Sequence, residues 1–188
     1  PYGGYFYNLG RETWLVPVRW EDDWLIVSPG SGRIEWEYRR PQLPECRFPS
    51  PPACDHFDTP HLALSWNFLR TPRSPFWSLS ERPGWLRLKL MPERLSERVN
   101  PAFIGRRQQH IHFSARAAMR FTPAHAHECA GLALIQTDNF HFRFVCTGAP
   151  SGATIVRLEQ RVDGEETVIA EHALPLFGGM IYWKVEAH

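Results

Sequence analysis

The sequence predicts an all-β fold, a two-sheet antiparallel β-sandwich preceded by a short β segment. Many short segments are rich in β-branched and aromatic residues and end at turn-forming residues. Residues alternate in FHFRFV, which puts the side chains of Phe140, Phe142 and Phe144 on one face and those of His141 and Arg143 on the other. No segment shows a long helical period. Half-buried strands joined by short turns favour two packed antiparallel sheets.

The predicted strands form two groups along the chain. The first group is TWLVPV, WLIVS and RIEWEY, separated by EDD and PGSG turns. The second group is HLALSWNFL, GWLRLKL, QQHIHFSARAAMRF, AGLALIQT, FHFRFVCTG, TIVRLEQRV, ETVIAEHAL and MIYWKVEA. RVDGEETV indicates a hairpin with Asp163 and Gly164 at its tip.

Proline density divides the predicted domains. Residues 1–40 form a small β piece that is too short to bury a core alone, and residues 41–56 form a proline-rich linker. Residues 57–188 form the sandwich. The chain opens without Met or a signal peptide, so we expect a piece of a longer polypeptide. A sandwich cut short at its C-terminus would leave an unpaired strand edge, which favours pairing with a second copy.

Composition excludes several classes of function. The formal net charge is +1, and 22% of the 188 residues are charged, so neither nucleic acid nor a membrane is an expected partner. No apolar run reaches the ~20 residues of a membrane span. Localisation, cytoplasmic or secreted, stays open. Cys46 and Cys54 either form a disulfide or are both reduced, whereas Cys129 and Cys146 are expected to be small core residues.

Two groups of histidines are candidate metal ligands. His110 and His112 lie two apart in a predicted strand, and His125, His127 and Glu128 form the second group. Neither group has a third ligand at a characteristic spacing, so surface or hydrogen-bonding histidines are favoured. We expect no metal and no cofactor. No ordered nucleophile motif is present either.

Several motifs resemble glycoside hydrolase family 43, in its β-xylosidase and α-arabinofuranosidase branch. LGRETWLVPVRWEDDW resembles the last strands of the catalytic propeller. WNFLRTPRSPFWSLSERPGWLRLKL, NPAFIGRRQQHIHFSARAAMRF and AGLALIQTDNFHFRF resemble the concanavalin-A-like sandwich that follows it. The resemblance implies a jelly-roll accessory domain beside an upstream five-bladed propeller. That propeller would carry the inverting Asp and Glu, so no catalytic residue is expected in this chain.

The resemblance also implies substrate-binding residues. Arg11 of the LGRET motif would bind sugar hydroxyls, with Glu12 and Thr13 in supporting positions; the alternative is a structural ion pair made by Arg11. In PERLSERVNPAFIGRR, Val99 takes the place of a pocket-capping phenylalanine. Either Val99 closes the pocket with less apolar area, or Phe103 or another residue takes the role, or the parent enzyme accepts a different sugar.

Three functional hypotheses follow. The first is a domain that completes and caps the sugar pocket of a glycosidase acting on xylo-oligosaccharides or arabinosides, and that is inactive alone. The second is a non-catalytic, lectin-like module with exposed coplanar rings among Trp66, Trp77 and Trp85, which the first hypothesis expects to be buried. The third is a structural sandwich that forms a homo-oligomer.

Overall fold

A computed structural model describes residues 9–10, 13–174 and 178–188. Within these ranges the chain forms twelve strands and no helix, and therefore contains no helix that could cross a membrane. The predicted all-β class is confirmed. The chain divides into two compact units, Pro1–Asp55 and His56–His188.

In the described part of the first unit, β1 (Val18–Glu21) and β2 (Trp24–Val27) pair antiparallel and form a hairpin. Its two turn residues, Asp22 and Asp23, have positive φ of 47° and 61°, the backbone that a tight two-residue hairpin turn requires. The strand starts after Pro17, later than TWLVPV predicts, because proline has no N–H to donate to a ladder.

The segment RIEWEY forms no strand, so this prediction is wrong. The Tyr38 hydroxyl instead accepts the Glu35 N–H at 2.7 Å and donates to the Arg33 carbonyl at 3.2 Å. It also lies 2.9 Å from the buried Ser28 hydroxyl. These side-chain bonds satisfy backbone groups that a strand would pair across a ladder. No strand occurs between β2 and residue 66, and residues 41–54 are exposed throughout.

The second unit is built on a four-stranded antiparallel sheet in the order β11-β10-β9-β8. Its strands are β8 (Cys129–Thr137), β9 (Phe140–Gly148), β10 (Thr154–Val162) and β11 (Glu165–Leu174). A separate two-stranded sheet pairs β7 (Phe113–Arg120) with β12 (Met180–Ala187). The predicted hairpin at Asp163 and Gly164 joins β10 to β11 and is confirmed.

The core of the sandwich lies between these two sheets. The Phe144 ring of β9 meets the Trp183 ring of β12 edge to face, with centroids 4.5 Å apart. Trp183 is 3% exposed, and Cys146 is fully buried on the same face of β9 as Phe144. The residue before Trp183 on β12 is Tyr182, which is 80% exposed because successive side chains of a strand point to opposite faces.

The other face of the four-stranded sheet carries a row of charged side chains, which we call the charge ladder. Strand register places its members side by side: Arg143, Arg157, Glu159, Arg161, Glu166 and Glu171. Arg143 lies 2.7 Å from Glu159, and both side chains are more than four-fifths buried. The alternation in FHFRFV therefore does not separate a buried apolar face from a solvated polar one.

Strand β11 is the outer edge of the four-stranded sheet. Nine of its ten residues are exposed, including Val168 and Ile169. Three glutamates lie along it, and its pairing with β10 is interrupted by a bulge at Leu158 and Glu159. Charges and a bulge are common devices that protect an open edge.

Residues 57–106 form shorter strands than the sequence predicts. Only β3 (Trp66–Asn67), β4 (Trp77–Ser78), β5 (Arg87–Leu88) and β6 (Gly105–Arg106) form here, in the two pairs β3-β6 and β4-β5. The segments HLALSWNFL and GWLRLKL are thus wrong as full strands. Six prolines interrupt this region and remove ladder donors: Pro60, Pro72, Pro75, Pro83, Pro92 and Pro101.

Candidate functional site

The segment 94–103, here called the Val99 loop, contains one of the predicted substrate-binding residues. Val99 is 41% exposed and lies outside any strand. The loop begins with a local turn in which the Glu97 carboxylate accepts the Arg94 N–H at 3.0 Å, while the Glu97 N–H donates to the Arg94 carbonyl at 3.1 Å. Phe103 is half-buried just before β6. Val99 is thus the exposed apolar side chain of the two.

An arginine from elsewhere in the unit holds this loop. Arg70 donates from Nη1 to the carbonyl oxygen of Val99 at 2.8 Å and to that of Glu97 at 3.3 Å. Its Nη2 lies 3.0 Å from Oδ1 of Asp138, whose Oδ2 lies 3.1 Å from Nε of Arg98. We call Arg70 and Asp138 the clamp, because together they connect the loop to the turn between β8 and β9.

A second contact fixes the loop near the same point. The Asn100 side chain donates to the Thr71 carbonyl at 2.8 Å, one residue after Arg70. The Val99 carbonyl thus accepts a hydrogen bond from the Arg70 side chain, and the Thr71 carbonyl accepts one from the Asn100 side chain. Since irregular segments leave such groups without ladder partners, these bonds define the course of the loop.

The carboxylate of the clamp is stabilised in its charged form. Burial tends to raise the pKa of Asp138, but the hydrogen bonds and charges of Arg70 and Arg98 outweigh it and hold the pKa below its ordinary value. The ion pairs therefore persist at neutral and mildly acidic pH. Sequence reasoning missed this group, because Arg70 and Asp138 are 68 positions apart.

The other predicted site residues belong to the first unit. Arg11 and Glu12 lie outside the residues that the structure describes, so their predicted roles remain predictions. Thr13 is exposed and precedes β1. Nearby, the rings of Trp14 and Trp36 meet edge to face at 4.9 Å, and Trp36 is 88% exposed.

The aromatic rings proposed for a lectin-like platform are half-buried, which is intermediate between the two hypotheses. Each has an internal partner. The Trp66 ring packs against Phe57 at 5.5 Å, and the Trp77 ring stacks on Phe68 at 6.3 Å. The Arg82 guanidinium lies 4.0 Å from the centre of the Trp85 ring. Each of the three rings is therefore in contact with a side chain of its own unit.

The two histidine groups proposed as metal ligands lie outside the strands and contact neighbouring residues. His110 and His112 precede β7, so the prediction that they share a strand is wrong; the Gln108 side chain donates to the His110 carbonyl at 2.8 Å instead. The His125 and His127 rings stack at 5.4 Å. Throughout the described part of the chain, no three His, Cys, Asp or Glu residues are placed to hold a metal.

The thiols differ from one another in exposure. All four cysteines are free, and Cys46 and Cys54 are exposed. Burial raises the pKa of the Cys146 thiol, which lies in the core as predicted. Cys129 is exposed, so its assignment to the core is wrong; it is the first residue of an edge strand, with a neighbour on one side only.

Antiparallel sheets that pack through Phe144 and Trp183 define the second unit as a β-sandwich domain. The chain belongs to the family described as Beta xylosidase C-terminal Concanavalin A-like domain, which matches residues 54–188. The resemblance to glycoside hydrolase family 43 is thereby confirmed.

Relatives are glycosidases of several bacteria. The chain is 39% identical over 148 residues to a non-reducing end alpha-L-arabinofuranosidase of Bacteroides ovatus, covering 78% of this chain and 28% of that protein. It is 40% identical over 141 residues to a xylosidase/arabinosidase of Butyrivibrio fibrisolvens, covering 73% and 27%. The chain therefore spans little more than a quarter of these relatives.

A solved structure covers the whole chain. The crystal structure of a xylan beta-1,4-xylosidase from Bacillus halodurans matches with a TM-score of 0.90 and 32% identity, over 100% of this chain and 36% of that one. The chain thus corresponds to the C-terminal accessory domain of larger family-43 proteins.

Proposed function

We propose that this chain completes and caps the sugar pocket of a family-43 glycosidase whose catalytic propeller precedes it in the same polypeptide. The substrates would be xylo-oligosaccharides or arabinosyl side chains, as the names of its relatives suggest. The chain alone would be inactive. An inverting mechanism needs two carboxyl groups about 6.5–9.5 Å apart, and these would come from the propeller.

The observation that carries this proposal is the exposed apolar surface of the first unit. On the β1-β2 hairpin, Trp20 is 69% and Trp24 74% exposed, and Leu15 before it is 87% exposed. A two-stranded hairpin is marginally stable on its own, and covering each such side chain would contribute ~2 kcal/mol. Further strands that pack over these side chains, such as the remaining strands of a propeller blade, would supply that cover.

Two residues would touch the sugar in this proposal. The Arg11 guanidinium has a planar fork of donors that suits two adjacent hydroxyls, with Glu12 and Thr13 orienting it. Val99 would close the pocket with an apolar side chain and would contribute less area than the phenylalanine of the resembling enzymes.

The experiment compares the full-length polypeptide with the chain alone on nitrophenyl β-xyloside and nitrophenyl α-arabinofuranoside. We expect turnover by the full-length polypeptide only. In that polypeptide, Arg11→Ala should lower kcat/KM by about 10- to 150-fold, since a charged donor to the substrate contributes ~1.5–3 kcal/mol. Arg19→Ala is the matched control, because Arg19 forms an exposed ion pair with Glu21 in the same unit.

Several outcomes would contradict the proposal. Turnover by the chain alone, or an Arg11→Ala effect no larger than that of Arg19→Ala, would remove Arg11 or the propeller from the mechanism. Affinity of the chain alone for xylan would favour the lectin-like alternative, which needs no catalytic partner. A pulldown with insoluble xylan measures it directly.

A further inference from the structure

We propose that Arg70 is a positioning residue, which sets the place of Val99 by binding the loop backbone rather than by touching substrate. The inference rests on the proposed capping role of the Val99 loop. It assigns the placement of the cap to a residue that lies 29 positions before Val99 in the chain.

The geometry of the guanidinium is central to this assignment. One nitrogen donates to two loop carbonyls, those of Val99 and Glu97, while the other pairs with the Asp138 carboxylate. A lysine ammonium is a single point of charge and cannot span these acceptors in one planar arrangement. Nη2 of Arg70 is therefore fixed by Asp138, while Nη1 holds the backbone of the loop.

Asp138 fixes the guanidinium of Arg70 by accepting a hydrogen bond from Nη2. It lies in the two-residue turn between Thr137, the end of β8, and Phe140, the start of β9. These strands belong to the four-stranded sheet, so the clamp attaches the loop to the most extensively paired part of the unit. Only about a third of the Arg70 side chain and a quarter of the Asp138 side chain are exposed, so the ion pair is partly shielded from water.

A loop held in this way loses little freedom when substrate binds. Ordering a free loop around a ligand costs affinity, and a loop already fixed avoids most of that cost. The expected signature of a broken clamp is therefore a higher KM with a nearly constant kcat, since the chemistry resides on other residues.

The test measures kcat and KM in the full-length enzyme, together with the rate of tryptic cleavage after Arg98. Arg98 is well exposed within the loop, so its cleavage reports local opening. Arg70→Ala should raise KM about tenfold, change kcat by less than about threefold, and speed this cleavage about tenfold. Arg87→Ala, which breaks only an exposed pair with Glu81, should leave all three unchanged.

Two further variants separate positioning from folding. Arg70→Lys keeps the charge beside Asp138 and should still raise KM severalfold, because the fork is lost. Asp138→Asn keeps an acceptor and should have a smaller effect. If Arg70→Ala does not fold, these two variants carry the test. Wild-type KM and cleavage rates in both Arg70 variants, or in Arg70→Lys if only that one folds, would overturn the inference.

The Val99 substitutions distinguish this inference from the proposed function. If Val99→Ala raises KM and Val99→Phe lowers it, while the Arg70 variants behave as wild type, the capping role stands and the positioning role fails. If neither Val99 variant changes KM and Arg11→Ala is also silent, both fail together.

Discussion

Replacing Trp183 by alanine tests the sandwich core. Trp183 is 3% exposed and its ring meets Phe144 edge to face at 4.5 Å and 70°. Truncating a buried aromatic of this size costs about 3–5 kcal/mol, of which the ring pair accounts for about 0.5–1.5 kcal/mol. The indole N–H is buried without an acceptor, so Trp183→Phe should cost less, about 1–2 kcal/mol.

Urea unfolding of the chain followed by circular dichroism provides the measurement. With a slope of about 2 kcal/mol per molar urea, Trp183→Ala should move the midpoint down by about 2 M. Tyr182→Ala is the matched control, because this adjacent ring is 80% exposed and its loss should cost less than about 0.5 kcal/mol. A Trp183→Ala cost below about 1 kcal/mol, or equal costs at the two positions, would refute the packing described here.

Three other predictions concern charges and thiols. Glu159→Gln should lower the free energy of unfolding by about 1–3 kcal/mol, because it leaves the largely buried Arg143 short of a partner; urea unfolding would contradict this if the variant matched wild type. Cys146 should resist a thiol reagent until the chain unfolds, whereas Cys46 should react at once; native labelling of Cys146 would disagree. Folding lowers the pKa of Asp138, so the stability that this carboxylate contributes is complete above the ordinary carboxyl pKa and is lost as pH falls through the lowered value. Asp138→Asn should therefore be less stable than wild type at pH 7, and the difference between the two free energies of unfolding should shrink as pH falls through that range; a difference that stays constant with pH would contradict this.

The second half of the fold was largely predictable from sequence. FHFRFVCTG, TIVRLEQRV and MIYWKVEA form β9, β10 and β12 with the predicted bounds, because apolar alternation and turn residues coincide there. Residues 57–106 were less predictable. Their aromatic segments have strand composition, but nearby prolines limit each ladder to two residues.

Side-chain placement within the sheet was harder to predict than the strands themselves. His141 sits on the predicted polar face, yet it is 4% exposed. Strand register places His141 of β9 between Ile135 of β8 and Arg161 of β10, and Arg161 is a member of the charge ladder. Cross-strand neighbours of this kind depend on register, which a single sequence does not encode locally.

The candidate site was reached from sequence only where a local motif exists. Val99 was found because the surrounding segment resembles a known family. Arg70 and Asp138 carry no such signal, since an arginine after a short strand and an aspartate in a turn are common surface residues. Their meeting is a product of the folded chain.

The open border of the large sheet has a consequence for how copies of this chain behave together. A long border strand is a template on which fibres can grow, one added strand at a time. The bulge in the pairing of β11 with β10 spoils the flat register that stacking needs. The charged side chains along β11, of which Glu166 and Glu171 already pair with arginines of their own sheet, favour water over an added strand. Both features disfavour the addition of a further strand along the ten residues of β11.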